Sequence, residues 1–144
     1  MVRKFVACLA LAGLVAGCAP GLDGARQALS NAERAESAAV SALEKYDQQA
    51  QAQIISDAHK TGDVEGALKK LADYRAKRAQ VVKALTDAAG VIAIGGPLLA
   101  LVERGVKKDA DVTAWLQDLF KALLSVRQAL VNFGVSVPSI LGAF

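Results

Sequence analysis

The chain has 144 residues, 53% hydrophobic and 22% charged, with 17 Lys+Arg against 14 Asp+Glu for a net charge of +3. Setting aside Arg3 and Lys4 leaves 15 basic residues against 14 acidic ones, and such interspersed, near-neutral charge argues against the basic face that nucleic-acid binding requires. Two cysteines and a single histidine, His59, argue against a disulfide framework and against a zinc site.

The N-terminus opens with Arg3 and Lys4, followed by an apolar run from Phe5 to Val15. Its length of about eleven residues suits the core of a secretory signal and falls well short of a spanning helix. The run closes on Leu14-Val15-Ala16-Gly17-Cys18. A basic start, a core of this length and two small residues before a cysteine together resemble the lipobox of bacterial lipoproteins, although Val15 stands where that family favours Leu. The resemblance covers residues 1–18 only. It implies cleavage between Gly17 and Cys18, a diacylglyceryl thioether on Cys18 and acylation of the freed amine. Cys8 would leave with the signal, so the covalent lipid on Cys18 is the only prosthetic group expected. Ala19 occupies the place where the family's inner-membrane retention signal is an Asp, which implies outer-membrane sorting, facing the periplasm, in a host with two membranes. An ordinary signal cut elsewhere, or a cytosolic chain with an apolar first helix, are the alternatives; neither explains why a cysteine ends the apolar run.

Residues 18–24 read as a short tether containing Pro20 and Gly21, and 25–144 as a single helical domain. The first helix is expected over about 22–60, where Ala, Gln and Glu dominate and no Pro or Gly intervenes from Ala25 to Thr61. A heptad reading places Leu22, Leu29, Glu36, Leu43 and Ala50 at one seam position. Ala25, Ala32, Ala39, Tyr46 and Gln53 take the other. A seam so rich in alanine buries little area, so this helix needs stronger partners within the chain or outside it.

Thr61-Gly62-Asp63 predicts a turn, with Gly62 left-handed and Asp63 capping a second helix over about 63–94. Its expected stripe is Val64, Leu68, Leu71, Arg75, Arg78, Val82, Leu85 and Ile92. The basic cluster Lys69, Lys70, Arg75, Lys77 and Arg78 reads as a solvated face, with contact to anionic lipid as the alternative. Gly62 to Leu68 looks like the start of a tetratricopeptide hairpin, but no second copy follows at that family's period of ~34 residues. Ala88 to Val102 is uncharged and contains Gly95-Gly96-Pro97. Pro97 lacks an amide hydrogen and clashes with the carbonyl of Ala93, so the helix is expected to break there and restart over about 97–106.

Asp111 is the expected cap of a last helix over 111–133, whose stripe of Val112, Trp115, Leu116, Leu119, Leu123, Val126, Leu130 and Phe133 is the strongest core signal in the chain. Gly134 ends it, and residues 134–144 form an apolar tail around Pro138. The fold class is all-α: a helical hairpin or bundle of three to four helices.

No catalytic constellation accompanies His59, and Glu33/Glu36 and Asp109/Asp111 stand at spacings that ordinary helices and caps produce. The expected function is that of a non-enzymatic envelope lipoprotein, held on the membrane by its lipid and serving as a structural or interaction module through a protein partner or self-association. Leu22, Leu29, Leu43, Tyr46, Ile140, Leu141 and Phe144 are the candidate partner-binding residues. One alternative is a toxin, immunity or lysis protein inserting residues 88–102 and the tail into the bilayer. Another is a carrier holding a small apolar ligand between the Trp115 helix and the Gly-Gly-Pro helix.

Overall fold

A computed structural model describes residues 21–143; Gly17, Cys18, the start of the tether and Phe144 lie outside the described residues. Three helices make up the fold: α1 (Leu22–Thr61), α2 (Val64–Glu103) and α3 (Asp109–Phe133), followed by a short 3-10 turn at Leu141–Ala143. Each helix packs on the other two, and the described residues form an all-α bundle of three helices.

The connection between α1 and α2 forms as its residues dictate. Gly62 takes the left-handed conformation at φ 71° and its amide closes α1 on the Ala58 carbonyl at 2.8 Å. The Asp63 carboxylate then accepts from the Gly66 amide at 2.8 Å and opens α2. At the far end of α2, Gly105 is left-handed and Val106 returns its amide to the Leu101 carbonyl at 2.9 Å. The last helix begins two residues earlier than expected, at Asp109, and Asp111 caps it from inside by accepting the Lys108 amide at 3.0 Å.

The core runs along one face of each helix. In α3 all eight residues of the predicted stripe, from Val112 to Phe133, are buried. Removing a large apolar side chain from water contributes roughly 1.5–3 kcal/mol, so this face carries much of the stability. In α1 the buried positions are Ala25, Ala32, Ala35, Ala39 and Leu43, with Leu22, Leu29, Tyr46 and Ala50 half-buried against them. Alanines bury little themselves, but they let α1 lie close to its two neighbours.

The expected break at Gly95-Gly96-Pro97 is absent: α2 is one helix of 40 residues with Pro97 inside it, so the separate spans 63–94 and 97–106 are corrected to Val64–Glu103. Two local circumstances explain this. Pro97 and Ala93 are both exposed, so the carbonyl that loses its amide partner lies on the solvent side, where water can satisfy it. Gly95, by contrast, is buried beneath the indole of Trp115: a Cβ there would stand 2.4 Å from the ring and 3.0 Å from the Leu29 side chain. Glycine at this point cuts a notch in α2 that admits the largest side chain of α3.

The expected stripe of α2 is also partly out of register. Val64, Leu68, Arg75 and Val82 are exposed, and the buried face runs instead through Tyr74, Val81, Ala84, Leu85, Ala88, Ile92, Gly95 and Leu99. From Val81 through Leu85, Ala88, Ile92 and Gly95 to Leu99 the inward positions alternate by four and three residues, a coiled-coil pattern obscured in the sequence by the alanine and the glycine among them.

Helices of 40 residues reach about 60 Å and one of 25 about 37 Å, so α3 cannot cover the whole hairpin. It ends where Phe133 meets Tyr46 and Tyr74, with ring centroids 5.0 and 5.3 Å apart. Beyond that level, residues 47–61 and 64–73 continue as a two-helix arm without a buried side chain. The bundle therefore has a closed base and an open end.

Candidate functional site

The base holds the start of α1, which follows Cys18 closely in sequence. Only Ala19, Pro20 and Gly21 separate Cys18 from the start of α1, and the Gly21 carbonyl already accepts from the Ala25 amide at 3.1 Å. Arg26, one turn into α1, pairs with Asp23 at 3.2 Å and with Glu103 at the end of α2. The first turn of α1 is thereby tied to the last turn of α2. The start of α1 therefore lies at the same end of the bundle as Glu103, Arg104 and the exposed connector of Val106, Lys107 and Lys108.

Among the described residues, those expected to meet a partner all pack against the chain itself. Leu43 and Leu141 are buried in the core, while Leu22, Leu29, Tyr46 and Ile140 are half-buried against it. Leu29 lies at the notch of Gly95, and Tyr46 stacks edge-on against Phe133. The apolar tail turns back on α3, with Val135 and Leu141 buried and Val137 and Ile140 half-buried. The large apolar side chains left exposed include Ile55, Val64 and Leu68 on the arm, Ile94 and Leu101 on α2, and Val106 in the connector.

At the junction of bundle and arm sits a polar cluster that sequence reading missed. The Tyr74 hydroxyl donates to the Asp47 carboxylate, whose other oxygen accepts from Arg78 Nε at 2.6 Å. Burial, reinforced by the bond to Asp47, pushes the Tyr74 hydroxyl up to about 12. The bond and charge of Asp47 likewise raise the Arg78 guanidinium. The three side chains bolt α1 to α2 at this level. Their sequence signal was weak because Asp47 and Arg78 are 31 positions apart and look like any charges on long helices.

Trp115 lies in the core, 5% exposed, and its indole nitrogen donates to the Val91 carbonyl at 2.8 Å. The indole thus packs into the interface between the Trp115 helix and the Gly-Gly-Pro helix, against Gly95. His59 is exposed near the end of α1, and among the described residues no group of three or more His, Cys, Asp or Glu side chains could hold a metal ion. Glu33 is exposed and Glu36 half-buried.

Among the described residues one helix, α2, is long and apolar enough to cross a membrane by length and composition: its most apolar 18-residue window has a mean hydropathy of 1.8, with 28% of it buried in the bundle. No protein-family model, curated protein or solved structure matches the chain.

Proposed function

We propose that the chain is a non-enzymatic lipoprotein of the bacterial cell envelope, held on a membrane by lipid at Cys18 and presenting a three-helix bundle as an interaction or structural module. The observation that carries this reading is the coincidence, within eighteen residues, of Arg3 and Lys4, an apolar run of signal length, and Ala16-Gly17 before Cys18. The geometry of the base supports it, since the fold begins only a few residues after the acceptor thiol. Two or three acyl chains, at about 0.8 kcal/mol per buried methylene, give durable attachment.

Outer-membrane sorting follows from Ala19 in a host with two membranes. The open arm, at the opposite end of the hairpin from Cys18, is the part best placed to reach a partner away from the bilayer. Insertion of the tail is disfavoured by the burial of Val135 and Leu141, which would have to leave the core first.

Fractionation of cells tests the reading. The wild-type chain is expected in the membrane fraction, extractable by detergent and resistant to high salt. Cys18→Ser is expected to abolish signal cleavage at Gly17 and the detergent-phase partitioning of a mature form. A Cys18→Ser chain processed and membrane-bound like the wild type would overturn the proposal.

A further inference from the structure

The outward face of the lower half of α2 is uncharged from Ala88 to Val102, and Gly90, Ala93, Ile94, Gly96, Pro97 and Leu101 are all exposed along it. Ile94 is 57% exposed and Leu101 36%, and the face spans about 16 Å of helix from Gly90 to Leu101. Lys83 and Asp87, paired at 2.6 Å, bound it on one side, and Glu103 and Arg104 on the other. Most of the hydropathy of this stretch belongs to side chains turned into the bundle, among them Val91, Ile92, Leu98, Leu99 and Val102, and the outward strip adds Ile94 and Leu101 to it.

We infer that this face rests on the lipid bilayer, so that the anchored bundle lies against the membrane along the lower half of α2. The inference depends on the proposed lipidation of Cys18 and adds to it an orientation. Chain length supplies the argument for the occupant. Three residues between Cys18 and α1 span at most roughly 10–11 Å when extended, about one helix diameter. The Arg26–Glu103 pair holds the start of α1 against the end of α2. A lipid in the bilayer at residue 18 thus brings the Leu101 end of the face to the membrane surface without any further linker. An uncharged face carrying Ile, Leu and Pro, flanked by charges of both signs, suits shallow burial at the headgroup boundary. The opposite side of α2, with Leu85, Ile92 and Leu99, is committed to the core, which limits the contact to the surface and excludes a span by the folded bundle.

The test uses the lipidated protein purified from membranes and returned to phosphatidylethanolamine and phosphatidylglycerol vesicles carrying nitroxide on their acyl chains. Cys8 and Cys18 are the only cysteines in the sequence, so single cysteines introduced by Ala93→Cys, Ile94→Cys, Ser37→Cys or Ser125→Cys can carry a fluorophore. All four positions are exposed, the first two on the proposed face, Ser37 on α1 and Ser125 on α3. Labels at 93 and 94 are expected to lose most of their emission to the nitroxide, and those at 37 and 125 to keep theirs. Ile94→Lys added to Ala93→Cys is expected to restore emission while the intact mass still shows the lipid. Equal emission at all four positions, with the lipid present, overturns the inference alone. A label at 93 shielded in a manner that depends on protein concentration rather than on lipid assigns the face to a second copy and also overturns it. An unmodified Cys18 in the same intact mass rejects the lipoprotein reading, and the orientation with it.

Discussion

The base of the bundle and its arm are built from the same two helices, yet only the base has a core. Where α3 lies in the groove of the hairpin, alanines on α1 and the 4-3 pattern on α2 are sealed by eight large side chains. Where α3 ends at Phe133, the same helices continue with Ile54 and Leu71 half-buried and Ile55, Val64 and Leu68 exposed. Helix propensity and a good turn are enough to shape a hairpin, but burial of apolar area by a third element is what makes it rigid. The polar bolt of Asp47, Tyr74 and Arg78 marks the boundary between the two regimes.

The contrast is sharpest in the response to truncation. Leu123→Ala, at a fully buried position of α3, is expected to lower the unfolding free energy by about 2–5 kcal/mol in urea titration. Leu68→Ala, at a position 63% exposed on the arm, is expected to stay within about 0.5 kcal/mol. Comparable losses at the two sites would show that the arm has a core of its own.

Gly95 offers a second break point. Gly95→Ala places a methyl against the Trp115 ring, and overpacking of this kind costs about 1–3 kcal/mol, more than the gain of up to about 1 kcal/mol from replacing a helical glycine. Gly90→Ala, where nothing lies within 4 Å of the added Cβ, is expected to stabilise by about 0.5–1 kcal/mol. Opposite signs at two glycines of one helix separate the notch from a mere weak point; equal signs would remove the notch from the account.

The boundary itself is expected to respond to alkali. Tyr74 is raised from its ordinary 10.0 to about 12 in the folded state, so the folded chain holds the hydroxyl proton more tightly than the unfolded one. The resulting stability is complete below about pH 10 and is lost as the pH rises through about 12. Tyr74→Phe is expected to flatten the pH dependence of unfolding in that window, and to cost about 1 kcal/mol at neutral pH. The smallest effect is local: amides of residues 50–72 are expected to exchange faster than those facing Leu123, and Gly62→Ala to accelerate them further because φ at that position is positive.

How much of this was legible varied with side-chain size. The α3 stripe was readable in full because Leu, Val, Trp and Phe mark its inward face without ambiguity. The α1 seam was readable through Ala25, Ala32 and Ala39, but Ala35 rather than Glu36 turned out to face the core, a choice that alanines on both sides of the helix do not disclose. In α2 the large residues misled: Val64, Leu68 and Val82 drew the expected stripe outward, and Tyr74 and Gly95, which define the true face, carry no hydrophobic signal strong enough to compete. Pro97 was misread because its cost depends on whether the orphaned carbonyl faces water, which is a tertiary fact. Of the proposed functional features, the thiol at Cys18 stands out in the sequence, whereas the apolar face of α2 emerges only once the buried half of that helix is known.

The most direct test of the account is the mass of the mature chain extracted from its native membranes, with fragment ions covering the N-terminus. A first residue of Cys18 bearing diacylglyceryl thioether and an N-acyl group is the expected result. A chain beginning at any other residue, or a Cys18 with a free thiol, would contradict it.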